Sequence, residues 1–181
     1  TMLHSAPHRP PPAFSDWLFR LALAGLVFAL ASAPALAADW VARHGQTGAQ
    51  YQDTFNDLSR KGYRLVSISG HQDGRGNARY ASIWKKQGGP AWAARHGLDG
   101  NQYQAAFNDF SQKGYRLSYI NGYSVGGKAY YAAIWTKAGG PPWAARHGLD
   151  ARQYQAAVNE FVDKGYSLAH VSAYTVGNTP R

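Results

Sequence analysis

The chain has 181 residues, with 19 Lys and Arg against 10 Asp and Glu for a formal net charge of +9. It has no cysteine, which excludes a disulfide framework, a thiol nucleophile and a thiolate zinc site. Packing has to supply the stability, and 6 Trp, 12 Tyr and 7 Phe offer the large buried areas this needs.

The chain opens on a targeting pattern. Arg9 and Arg20 give a positive region, Leu21 to Ala33 a short apolar run, and Ala35-Leu36-Ala37 small residues of the kind a signal peptidase reads. The apolar run is too short for a membrane helix, which needs about 20 residues. Residues 1–37 therefore read as a signal peptide cleaved before Ala38, which implies a secreted or periplasmic mature chain without a membrane span.

Beyond it the sequence repeats. Trp40-Val-Ala-Arg-His-Gly45 aligns with Trp92-Ala-Ala-Arg-His-Gly97 and Trp143-Ala-Ala-Arg-His-Gly148, dividing the chain into units 38–88, 89–140 and 141–181. Each Arg-His-Gly precedes a helix start: Thr47, Asp99 and Asp150 as N-caps, with Gln50, Gln102 and Gln153 three positions on, complete the capping-box pattern. Gly62, Gly114 and Gly165 follow at equal spacing as helix stops, behind Lys61, Lys113 and Lys164. One helix per unit results, of about 13 residues. Its apolar stripe is Tyr51, Phe55 and Leu58, then Tyr103, Phe107 and Phe110, then Tyr154, Val158 and Phe161.

A hairpin follows each helix. Tyr63 to Ser69 and Ala78 to Lys85 flank a turn at Asp73-Gly74, and Tyr115 to Asn121 and Ala129 to Thr136 flank Gly126-Gly127. Tyr63 and Leu65 share a parity that Ile68 does not, so the first strand either bulges or is buried on both faces. Gly-Gly-Pro linkers then lead into the next Trp strand. The fold class is α+β, a tandem array of strand, helix and β-hairpin with mostly antiparallel sheet. The third unit lacks the second hairpin strand and its Ile-Trp pair, so the chain reads as a fragment of a longer protein or as a short array with a loosely ordered last unit.

This ordered series of motifs (Trp-Ala-Ala-Arg-His-Gly-Leu-Asp, Gln-Tyr-Gln, Lys-Gly-Tyr-Arg-Leu, Tyr-Ala-Ala-Ile-Trp) resembles the bacterial tandem repeat domain, also called the polyglycine hydrolase-like structural repeat, from Asp39 to Gly177. The resemblance implies a Trp-rich superhelical array that often stands before a serine hydrolase domain of the β-lactamase type, the chemistry residing in that domain. Such a domain needs a Ser-x-x-Lys nucleophile motif. Here only Ser82-Ile-Trp-Lys85 fits, inside an expected strand, and its counterpart Ala133-Ile-Trp-Thr136 has neither residue. It reads as a chance match.

Candidate sites are few. Arg43-His44, Arg95-His96 and Arg146-His147 would form a three-imidazole metal site only in a closed ring; in an open array they line one face, and they read as backbone-bonding corner residues. Trp40, Trp84, Trp92, Trp135 and Trp143 read as wedges between units rather than as ligand platforms. Hairpin tips differ between copies, which makes His71, Asp73 and Arg75, with Tyr123, Ser124 and Lys128, the binding candidates. No cofactor or metal motif and no specific nucleic-acid signal stands out. The expectation is a non-catalytic binding or scaffolding module for an extracellular glycan, peptide or envelope polymer; the alternatives are the accessory region of a serine hydrolase and a His-dependent metal hydrolase.

Overall fold

The structure, a computed structural model, describes residues 39–181. The signal-sequence reading lies outside them. Strand β1 (Trp40–Gln46), helix α1 (Gly48–Arg60), and strands β2 (Tyr63–Gln72) and β3 (Ala78–Lys86) make the first unit. Strand β4 (Trp92–Leu98), helix α2 (Gly100–Gln112), β5 (Arg116–Val125) and β6 (Lys128–Thr136) repeat it. The third unit has helix α3 (Ala151–Asp163) and two short strands, β7 (Thr175–Val176) and β8 (Thr179–Pro180).

Local chemistry sets the helices. Thr47, Asp99 and Asp150 each accept the N–H of the glutamine three residues on, whose side chain returns the bond, so all three capping boxes form. Each helix runs 13 residues, and Gly62, Gly114 and Gly165 follow at φ +81°, +78° and +79°, the left-handed conformation that ends a helix.

The first two sheets are antiparallel with orders β1-β3-β2 and β4-β6-β5, so the Ile-Trp strand is central in each. One face of β3 carries Tyr80, Ser82 and Trp84, all buried. Trp84 and Trp135 are 0% exposed and form the heart of their units. The parity break after Leu65 is a bulge: the register slips between Leu65 and Ser67, and again between Leu117 and Tyr119, which brings both Leu65 and Ile68 inside. β1 and β4 bulge too, next to Gly45 and Gly97 at φ +66°. The Arg-His-Gly motif is thus the bulge that turns each strand toward its helix.

The second face of each central strand separates the units. Ala132 and Ile134 of β6 are buried in a core shared with Leu65, Ile68 and Trp84 of the first unit. Ile83, the counterpart of Ile134, is 44% exposed, because no described residue precedes the first unit to cover it.

The third unit departs from expectation. Its Trp143 segment forms no strand, although its sequence nearly repeats β4. α3 buries none of its residues, and Tyr154, Leu168 and Val171 stay exposed. The sheet order explains this. Both flanking strands bond only to the central one, and among the described residues the third unit has none.

Candidate functional site

The junctions between units gather most of the residues singled out in the sequence. The bulge at Gly97 frees its N–H from the ladder, and that N–H donates to the Tyr123 hydroxyl (3.2 Å), which shares a 2.9 Å hydrogen bond with the hydroxyl of Tyr80. His96 projects from the same bulge into the first unit, edge-on to Tyr51 (4.6 Å between ring centroids) and Tyr80 (4.9 Å). The next junction repeats this: His147 meets Tyr103 at 4.7 Å and Tyr131 at 5.2 Å, and Tyr131 bonds Tyr174 at 2.7 Å. His44 has no described partner unit and is exposed. Each buried imidazole therefore sits in its own junction, and the three do not converge.

The tryptophans wedge in the same way. Trp92 lies against Phe55 (5.4 Å) and Trp84 (6.3 Å) of the preceding unit, and Trp143 against Phe107 (5.4 Å). Trp40, at the open end, is 58% exposed. The arginines of the motif stay on their own units, Arg95 over the ring of Phe110 (5.3 Å) and Arg146 over Phe161 (4.9 Å), while Arg43 donates only to the carbonyl of Ala42.

Burial lowers the pKa of His96, with a backbone hydrogen bond to Gly48 partly opposing the shift, and burial lowers that of His147. Both shifts favour the neutral imidazole. In the unfolded chain these groups titrate at the ordinary value near 6.5, so the unfolded state binds more protons as pH falls through that range. Stability is full above the ordinary value and is lost as pH drops toward the lowered folded values. Urea midpoints compared at pH 7.5 and pH 5.0 are expected to fall in acid, and H96F/H147F to flatten the dependence over this window.

The hairpin tips divide. His71 and Arg75 are exposed, Lys128 is exposed at the start of β6, and Ser124 is half-buried beside it. Asp73 organises its own turn: it accepts the N–H groups of Asn77 and Arg75 (both 2.9 Å) and Nε of Arg79 (2.8 Å). These donors, Asn77 first, hold its carboxyl at about 2. Tyr123 is not at a tip. β5 runs four residues past the expected end at Asn121, and Tyr123, 3% exposed, enters the unit junction.

Ser82 is 3% exposed and accepts the indole N–H of Trp84 at 2.9 Å. Residues i and i+3 of a strand face opposite sides, so Lys85 is not placed to activate it. In the second unit Ala133 replaces this serine, and the indole nitrogen of Trp135 is buried without a partner. A133S is accordingly expected to raise stability by about 1 kcal/mol in chemical denaturation, and S82A to lower it by about 1–2 kcal/mol.

One contact set escaped the sequence reading. Gly70 donates its N–H to Oδ1 of Asn121 (2.8 Å), and Gly122 its N–H to Oγ of Ser172 (3.0 Å), so side chains from the next unit satisfy the open edges of β2 and β5. A signal was available in the aligned triplets Ser69-Gly70-His71, Asn121-Gly122-Tyr123 and Ser172-Ala173-Tyr174. A crevice of about 340 Å³ opens between α1 and β4, walled by Tyr51, Phe55 and Ala94 and edged by Gln52, Arg95 and His96. It holds a cation, an amide, an imidazole and a phenol but no carboxylate.

Residues 37–87, 89–138 and 140–181 each match the family model described as polyglycine hydrolase-like, structural repeat. The chain belongs to this family. The three matches run consecutively through the described residues, so the junction geometry above is that of polyglycine hydrolase-like repeats packed on one another. No helix among the described residues is long and apolar enough to cross a membrane.

Proposed function

We propose that this chain is a non-catalytic binding or scaffolding module that acts outside the cytoplasm. The observation that carries the reading is the fate of its reactive side chains. His96, His147, Ser82, Tyr80 and Tyr123 are the groups best suited to chemistry, and each is committed to packing within or between units. What stays accessible is a repeated surface of cations and loop tips, suited to holding a ligand rather than transforming one. Arrays of glycans and peptides, probed with the full chain at low and raised salt, test this. Saturable binding without turnover is expected. Turnover of an arrayed substrate, abolished in H44A/H96A/H147A while that variant keeps its circular-dichroism spectrum, would overturn it.

Membership of a family described as polyglycine hydrolase-like supports a second reading, in which the module accompanies a hydrolase domain, of the β-lactamase serine type that the sequence resemblance implies. Ser82 is not that nucleophile, so another domain would have to supply it. Gene sequence after Arg181 decides: an in-frame Ser-x-x-Lys with its partner motifs supports this reading, and an immediate stop codon removes it.

A further inference from the structure

A strip of alternating cations and aromatics runs along one end of the strands and crosses from unit to unit. Lys86 lies over the ring of Tyr63 (5.9 Å), and Lys85 is paired opposite Arg64 across β3 and β2. The guanidinium of Arg64 lies over Trp92 of the next unit (5.6 Å). From Trp92 the strip passes to Lys137, whose backbone N–H bonds the carbonyl of Ala91 (2.7 Å) and whose ammonium covers Tyr115 (5.9 Å). Arg116, opposite Thr136, then covers Trp143 of the third unit (5.6 Å).

The seats of the two arginines are built into the linkers. Gly89 and Gly140 have φ +148°, a backbone conformation that favours glycine, and the Arg64 and Arg116 guanidinium groups lie in contact range of where a Cβ would stand, at 3.4 Å and 3.3 Å. The linker glycines thus leave room for a guanidinium laid flat on the following tryptophan. Six of the nine described carboxylates are spent elsewhere. Asp57, Asp73, Asp109 and Glu160 pair with Lys61, Arg79, Lys113 and Lys164, and none of these pairs uses a strip cation. Asp99 and Asp150 cap helices. Asp39 adjoins the strip, where its carbonyl accepts the Lys86 N–H, and its counterparts are Ala91 and Pro142.

We propose that this strip binds a linear anionic polysaccharide, its carboxylates engaging cations that recur once per unit. This rests on the binding-module reading and names the ligand class. Charge excess without carboxylate partners gives the strip a positive potential. Lys86 and Lys137, like Arg64 and Arg116, each lie over a ring, and Lys85, Lys86 and Lys137 are exposed to a ligand. Nucleic acid fits less well at the unit junction: Trp92 is covered by Arg64 and packed on Phe55 and Trp84, so its ring is not open to a stacking base.

The experiment titrates the full chain against fluorescein-labelled polygalacturonate oligomers by anisotropy, at low salt and again at raised salt. K86E/K137E is compared with R43E/R152E, which changes the net charge equally at exposed positions away from the strip, and thermal melts establish that both fold. Saturable binding is expected at low salt, weakened about tenfold or more by the strip variant and about twofold or less by the other. Equal weakening by both variants, or no binding at low salt, overturns the proposal. Tighter strip-dependent binding of a labelled single-stranded oligonucleotide overturns the ligand class. A glycan or peptide captured independently of the strip would leave the module reading standing while this one falls.

Discussion

G70A and G122A are expected to be among the most destabilising single substitutions in the chain, costing about 2–3 kcal/mol each, the upper part of the range for overpacking. Glycine to alanine in extended backbone is ordinarily harmless or favourable, because it reduces the freedom of the unfolded chain. Here the new methyl has no space. A Cβ at Gly70 would lie 2.6 Å from ring carbons of Tyr123, and one at Gly122 closer still to the ring of Tyr174. Neither ring has an easy retreat. Tyr123 is held through its hydroxyl by Tyr80 and Gly97, and its displacement would also strip Gly70 of the Asn121 bond. The informative comparison is G100A, in the first turn of α2, where a Cβ meets nothing within 4 Å. That variant is expected to gain a few tenths of a kcal/mol up to about 1 kcal/mol. Urea unfolding of the three proteins reads the difference. A loss below about 0.5 kcal/mol for both G70A and G122A would show that the junctions are looser than these contacts imply.

The contrast between Gly100 and Gly70 also marks how far the sequence could be read. Helices, caps and stops were legible because each rests on residues within four positions of one another: Thr47 with Gln50, Asp99 with Gln102, Asp150 with Gln153. The repeat was legible as self-similarity, and Trp92 and Trp143, read as wedges, lie against Phe55 and Phe107 of the preceding units. Gly70, Asn121 and Tyr123 were not legible in the same way, because the meaning of each lies about 50 residues away in the next unit. Tyr123 illustrates the cost. A strand judged by local propensity ends near Asn121, whereas pairing of Tyr123 with Tyr130 and of Ser124 with Ala129 carries β5 on to Val125. Asp73 was read as a binding candidate at a tip, and it is the acceptor that closes its own turn. The parity conflict after Leu65 was visible, and only the register showed that a bulge resolves it.

Sheet order has a further consequence, which can be tested by addition rather than removal. Because β3 and β6 are central, a unit without that strand loses both neighbours, and the third unit behaves so: near-identical sequence forms β4 at Trp92–Leu98 and no strand at 143–149. The hairpin that would deliver the missing strand has already begun, with Thr175 opposite Pro180 and reciprocal backbone bonds between Tyr174 and Arg181 (2.9 and 2.7 Å). Tyr123 and Tyr130 are the corresponding pair in the second unit. Continuing the chain after Arg181 with the seven residues found at 131–137 is therefore expected to complete the third sheet. The added tyrosine and tryptophan would lie under α3, over Tyr154, Val158 and Phe161, and the added isoleucine on the opposite face. Burying two large side chains and half-burying a third contributes about 4–7 kcal/mol on the usual scale of about 1.5–3 kcal/mol each. Hydrogen exchange should then slow through 167–174 and α3, and the melting temperature should rise. An extension of the same length in which serine replaces the isoleucine and tryptophan should give neither effect. Unchanged exchange in α3 with the native-pattern extension would mean that something other than the central strand keeps the third unit open.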